Sequence, residues 1–84
     1  MKEVNYVTNG TCSRMIHVEL DDNNIVQNVQ FVGGCHGNTQ GISALVKGLK
    51  AEDIIQRVRG IKCGARPTSC PDQLSFALEQ AIQQ

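Results

Sequence analysis

The first 32 residues alternate between apolar and polar side chains in the manner of β-strands. Strand-like runs at residues 2–8, 11–20 and 25–32 are separated by an Asn-Gly pair and by the polar block DDNN, both of which favour turns. Strands joined by short turns usually pair with their neighbours in sequence. The pattern therefore predicts a three-stranded antiparallel sheet.

Within these runs, the parity of the apolar residues predicts which face of the sheet is covered. The residues expected to point inward are Ile16, Val18 and Leu20 in the second run, and Val29 and Phe31 in the third. Cys12 and Arg14 share the parity of Ile16. His17 lies on the other parity, and we expect it at the surface.

After Gly34 the spacing of apolar residues changes to every third or fourth position, which is typical of helices. Three apolar faces follow: Ile42, Leu45, Val46 and Leu49; then Ile54, Ile55, Val58 and Ile61; then Leu74, Ala77, Leu78, Ala81 and Ile82. We expect Asn38 to cap the first helix, the second to end near Gly60, and the third to begin at Pro71. The order β-β-β-α-α-α predicts one α+β domain, residues 1–84, with helices on one face of the sheet.

Composition narrows the classes of partner. The 84 residues include eight basic and eight acidic side chains, one tyrosine and no tryptophan. Neither a basic surface for nucleic acid or membrane nor a set of aromatic side chains for stacking on bases is present. The sequence shows no apolar run that would span a bilayer and no secretory signal, so we expect a cytoplasmic protein.

The candidate chemistry lies in four cysteines: Cys12, Cys35, Cys63 and Cys70. All four fall in predicted turns or at element ends, whereas structural cysteines usually lie within elements on the core face. In a reducing cytosol they are expected to be thiols, metal ligands or redox groups rather than structural disulfides. No Cys-x-x-Cys pair is present, which excludes a zinc-ribbon spacing. We expect the four to converge on one site that holds Zn²⁺ or an iron–sulfur cluster.

Two local features support a site around these thiols. Cys70 precedes Pro71 at the predicted start of the last helix, where the N–H groups and the helix dipole favour a thiolate. Ser69 and Asp72 have capping-box spacing, and we expect Asp72 to act at the cap rather than in catalysis. Glycines on both sides of Cys35 would let N–H groups approach a bound ligand, and His36 is read as a loop residue rather than a ligand.

The pentapeptide TSCPD, residues 68–72, occurs together with GTC at 10–12, GGCHGN at 33–38 and IKCG at 61–64. With these motifs the whole chain resembles the stand-alone TSCPD-domain family. A related domain is appended to the C-terminus of some adenosylcobalamin-dependent ribonucleotide reductases. The resemblance implies that the partner is a ribonucleotide reductase or another large enzyme. It also implies that the chain would carry the family label ribonucleoside-diphosphate reductase. We expect no independent catalysis, because 84 residues cannot hold the barrel and radical source of a reductase.

From Ile25 onward the chain also resembles the IscU/NifU-type iron–sulfur scaffolds. In that family three ligand cysteines occupy positions that Cys12, Cys35 and Cys70 match in order. Ser69 stands where the scaffolds carry a histidine, and Cys63 has no counterpart. The resemblance implies a ligand set at the first three cysteines, with Cys63 as a possible fourth ligand.

Three functions therefore stay open. The preferred one is metal or cluster binding by the four cysteines. A metal-free redox role would pair an activated Cys70 with Cys63 or Cys35. The third is an interaction module that supports a large enzyme.

Overall fold

The structure is a computed structural model that describes residues 1–11 and 13–84. In chain order the elements are β1 (Lys2–Val7), β2 (Ser13–Leu20), β3 (Val26–Gly33), α1 (His36–Val46), α2 (Ala51–Val58) and α3 (Cys70–Ile82). The strands form one antiparallel sheet in the order β1-β2-β3. The predicted α+β fold is therefore confirmed. Among the described residues, no helix has both the length and the apolar character that a membrane crossing requires.

The hydrophobic core lies between the sheet and α3. Ile16, Val18 and Leu20 are fully buried, as their alternation predicted. On the other side, α3 contacts both β1 and β2 and contributes Leu74 and Leu78, which are also fully buried. The predicted apolar face of the last helix is thus the one that covers the sheet.

A register shift interrupts the alternation at the start of β2. The pairing of β2 with β3 is irregular between Ser13 and Met15. Ser13 is buried whereas Arg14, on the parity of Ile16, is exposed. Because an irregularity of this kind changes which side chains face inward, it turns the small hydroxyl of Ser13 toward the interior.

α1 differs from its prediction in both its start and its buried face. It begins at His36 with Cys35 as the N-cap residue, so the prediction that Asn38 caps it is wrong. Leu45 is 77% exposed, and Leu49, which is 48% exposed, lies beyond the helix end. The physical reason is position: α1 lies at the edge of the sheet with its main contact on β3, which buries only a narrow face.

Arg59 fastens the chain after α2 to α3. Arg59 donates from Nε to Ser75 Oγ (3.1 Å) and pairs with Glu79 (2.9 Å). Its guanidinium lies over the ring of Phe76, 4.5 Å from the centroid. Ile61, predicted on the face of the second helix, lies after α2 and is 45% exposed. The turn at Gly60 thus leads the chain directly into the segment that carries Cys63.

Candidate cysteine site at the start of α3

Ser69 fixes the first turn of α3 and thereby the place of Cys70. Its Oγ accepts from the backbone N–H of Asp72 (3.2 Å) and donates to the carbonyl of Ile61 (2.6 Å). Pro71 occupies the first turn, where a missing N–H costs little. The predicted serine cap is therefore confirmed, and it makes Cys70 the first helical residue.

Asp72 does not complete the capping box. Its buried carboxylate accepts from the backbone N–H of Gly60 (2.7 Å) and from the hydroxyl of Thr68. Within the same loop, the N–H of Cys63 donates to the carbonyl of Thr68 (3.1 Å). Asp72 therefore anchors the loop that carries Cys63.

Gln73 anchors the turn between β1 and β2. Its Oε1 accepts from the N–H of Asn9 (3.1 Å), and its Nε2 donates to Thr68 Oγ1 (2.9 Å). The role of Gln73 was not predicted from the sequence. One sequence feature could have indicated it: Gln73 is a polar residue directly beside Leu74, on the buried side of the last helix. A buried amide without hydrogen-bond partners would cost free energy, so partners were to be expected.

Glycines bring the same turns close together. Gly10 has a φ of +79°, and a Cβ there would lie 3.0 Å from the Thr68 side chain. Gly34 has a φ of +83°, and a Cβ there would lie 3.3 Å from Cβ of Ser13. Both positions combine a left-handed backbone with a close approach, so other residues would strain the contact. Gly34, next to Cys35, thus serves chain packing.

These contacts assemble a cleft between α1 and the start of α3. Its volume is about 440 Å³, and Cys35, Cys63 and Cys70 all line it. Cys35 and Cys63 are exposed, whereas Cys70 is partly buried. Three cysteines from separate parts of the sequence therefore share one concave surface. The remaining lining residues are Thr11, Gly37, Asn38, Thr39, Gly41, Ile42, Leu45, Ser69 and Pro71.

Two hydroxyl groups surround the sulfur of Cys70. Thr11 Oγ1 lies 3.0 Å and Ser13 Oγ 3.3 Å from Cys70 Sγ. Sequence analysis did not single out either residue; both flank Cys12, whose own position lies outside the described residues. A hydroxyl can donate to a thiolate or accept from a thiol. The pair can thus hold the sulfur in a fixed orientation in either state.

The donor chemistry of the cleft is soft and uncharged. None of the described residues that line it carries a carboxylate, an imidazole or a basic group. Over residues 1–11 and 13–84, no three His, Cys, Asp or Glu side chains stand close enough together to hold a metal ion. The metal role of Cys12, Cys35, Cys63 and Cys70 stays a prediction.

The two histidines lie outside the cysteine cleft. His36 begins α1, with Nε2 2.9 Å from Gln40 Nε2, and lines a second, smaller depression beside Phe31. His17 lies on the outer face of the sheet as expected, but its side chain is largely covered, with Nε2 2.9 Å from a Glu19 oxygen. This hydrogen bond, helped by one from Asn28, holds the pKa of the Glu19 carboxyl below its ordinary value.

Comparison with known proteins gives one match. The family model described as the TSCPD domain matches residues 1–82. The chain belongs to the TSCPD-domain family. In this TSCPD domain the five residues of the signature are Thr68, Ser69, Cys70, Pro71 and Asp72, and four of them build the helix start and its anchored loop around the one thiol. No curated protein and no solved structure matches, so the IscU/NifU resemblance has no support from these comparisons.

Proposed function

We propose that this TSCPD domain binds a thiophilic metal centre, either Zn²⁺ or an iron–sulfur cluster, through Cys12, Cys35, Cys63 and Cys70. The observation that carries the proposal is that Cys35 lines one cleft together with Cys63 and Cys70, which come much later in the chain. Packing thiols would instead be separated within the core. The fourth, Cys12, is the chain neighbour of Thr11 and Ser13, which both contact Cys70 Sγ.

The chemistry of the donors fits such a centre, although Cys35, Cys63 and Cys70 would have to move closer together to share one ion. Thiolate ligands favour zinc, copper(I) and iron–sulfur clusters over hard cations such as Mg²⁺ and Ca²⁺, which require oxygen donors. The lining residues described above supply three thiols but no carboxylate, and the hydroxyls of Thr11 and Ser13 lie beside Cys70 Sγ. The hydroxyls of Thr11 and Ser13 suit the outer contacts that orient a ligand sulfur. Bound zinc would supply folding free energy, whereas a cluster would supply electron transfer or sensing.

Elemental analysis of protein purified without oxygen tests the proposal. We expect close to one zinc per chain, or iron with matching acid-labile sulfide, and loss of the metal in each of the four Cys→Ser variants. Ser43→Ala, on α1 outside the cleft, is the matched control and should keep the metal. Zinc and iron both far below one per chain in the wild type would end the proposal.

A metal-free thiol function is the second candidate, favoured by the exposure of Cys35 and Cys63. In that case the Cys70 thiolate would attack a disulfide of a partner protein and form a mixed disulfide. Cys35 or Cys63 would then displace the partner, which leaves as a dithiol with two electrons and two protons gained, while this domain becomes a disulfide. Iodoacetamide labelling of the native protein separates the candidates: a bound metal protects all four thiols, whereas a redox pair leaves Cys70 reactive.

Under either candidate the domain acts as an accessory to a larger enzyme rather than alone. Family membership supports this part of the proposal. A ribonucleotide reductase is the partner that the family resemblance suggests. Co-purification from the source cells with the cleft intact, and its loss in the Cys70→Ser variant, would be the expected result.

A further inference from the structure

The cysteine cleft is much larger than a metal centre requires. Zinc–sulfur bonds are about 2.3 Å long, so one ion and its ligands occupy a small part of any cavity. The cleft has a volume of about 440 Å³. Along α1 it reaches from Gly37 to Leu45, a distance of about 12 Å at about 1.5 Å per helical residue. Most of the space therefore lies beside the thiols, against α1.

The wall formed by α1 is apolar and open. Ile42 and Leu45 present aliphatic side chains, and Pro71 faces them from the start of α3. Leu45 is 77% exposed, which leaves a large apolar side chain in water. Gly41 leaves a recess in this wall, because it has no side chain and a Cβ built there meets nothing within 4 Å. The wall thus offers apolar area that a bound molecule would remove from water.

We infer that this part of the cleft binds a small, uncharged, mostly apolar organic molecule beside the thiols. The volume falls within the range of about 300–1,000 Å³ that is typical of ligand pockets. No acidic or basic side chain among the described lining residues would compensate a charge on the ligand. Asn38 supplies a polar group of the kind that orients a ligand in such a pocket, whereas the Thr39 hydroxyl is already bonded to backbone carbonyls of α1 and its N-cap. The inference concerns a second ligand and does not require the metal.

The test is a fluorescence titration of the purified protein with N-phenyl-1-naphthylamine, an uncharged apolar dye that brightens when it leaves water. We expect saturable binding with one dye per chain. Gly41→Leu should weaken it by about tenfold or more, because the new side chain fills the apolar space. Gln40→Leu is the matched control: it adds the same side chain to α1 at a position that lines the other depression, and it should bind the dye as the wild type does.

Backbone amide shifts locate the dye. Gly37 and Gly41 amides should move on titration, while those of β1 should not. The inference is overturned if binding is not saturable, if both leucine variants bind alike, or if the signal follows self-association of the protein in a sedimentation experiment.

Zinc and iron are measured in the same samples, so the two proposals fail separately. Metal at full occupancy without dye binding would overturn only this inference. Dye binding without metal would overturn only the metal proposal.

Discussion

The carboxylate of Asp72 accepts a hydrogen bond from the backbone N–H of Gly60, 2.7 Å away and in a different part of the fold. This contact joins the end of α2 to the first turn of α3, and the Thr68 hydroxyl donates to the same carboxylate. The aspartate of the family signature therefore holds the loop that contains Cys63.

Replacing that carboxylate should destabilise the domain. We expect Asp72→Asn to lower the free energy of unfolding by about 1–3 kcal/mol, because a buried charge-assisted acceptor is weakened. The measurement is urea unfolding followed by circular dichroism. Asp22→Asn, in the exposed turn after β2, should change stability by less than about 0.5 kcal/mol. Equal effects of the two substitutions would contradict the anchoring role.

Gln73 should control the order of the turn between β1 and β2. In Gln73→Ala the N–H of Asn9 loses its acceptor, and we expect its hydrogen exchange to become faster by about tenfold, equivalent to about 1.4 kcal/mol of local protection. Amide exchange measured by NMR reports this directly. Gln80→Ala, on the exposed side of α3, is the matched control. Unchanged exchange at Asn9 would show that the turn is held by other contacts.

The hydroxyls beside Cys70 should set the reactivity of its thiol. We expect Thr11→Val and Ser13→Ala each to slow the reaction of Cys70 with iodoacetamide at pH 7 by about fivefold, since one hydrogen bond to a thiolate contributes about 1 kcal/mol. The rate is read by mass spectrometry of the Cys70 peptide in chelator-treated protein. Ser43→Ala should leave it unchanged. A faster reaction in both variants would mean that the hydroxyls shield the sulfur rather than stabilise its anion.

Alanine substitutions at the two glycines on either side of Cys35 should change the stability of the domain in opposite directions. Gly34→Ala should cost more than about 1 kcal/mol, because its φ is +83° and the new Cβ would press on Ser13. Gly37→Ala, where a Cβ meets open space within α1, should gain about 0.5–1 kcal/mol from helix propensity. Thermal unfolding of the two variants is the measurement. A loss of similar size in both would remove the case for a close approach at Gly34.

The hydrogen bond between His17 and Glu19 predicts that the stability of the domain depends on pH. Because the folded protein lowers the pKa of Glu19, its contribution to stability is present above the ordinary carboxyl value of 4.5 and is lost as pH falls through the lower folded value. The difference in stability between wild type and Glu19→Gln should therefore be constant at neutral pH and shrink in acid. Carboxyl chemical shifts should place the titration of Glu19 below the ordinary value of 4.5. A titration of Glu19 at or above 4.5 would contradict this.

Sequence analysis predicted the order of elements and the core of the sheet correctly because both depend on local periodicity. Ile16, Val18 and Leu20 alternate without interruption, and Leu74 and Leu78 are spaced one helical turn apart, so their burial follows from the pattern. The spacing of Leu45 was equally regular, yet this residue is exposed. Periodicity identifies the apolar face of a helix, but whether a neighbour covers that face depends on where the helix lies in the fold.

The site was predicted in part. Loop positions indicated that the cysteines belong together, and the cleft contains Cys35, Cys63 and Cys70. The contacts that hold them there could not be predicted, because Gln73 reaches Asn9 and Thr11 reaches Cys70 across more than fifty residues. The register shift at Ser13 was equally invisible in the sequence, since it depends on how β2 pairs with β3.

The edge position of α1 has a mechanical consequence. One wall of the cleft belongs to a helix that buries only Thr39 and Val46, whereas the opposite wall begins α3, whose Leu74 and Leu78 are fully buried in the core. Sliding or tilting such a helix exposes little new apolar area and therefore costs little free energy. The gap between the two walls can widen or narrow while the rest of the domain keeps its shape. A molecule that wedges between them would do so mainly at the expense of α1.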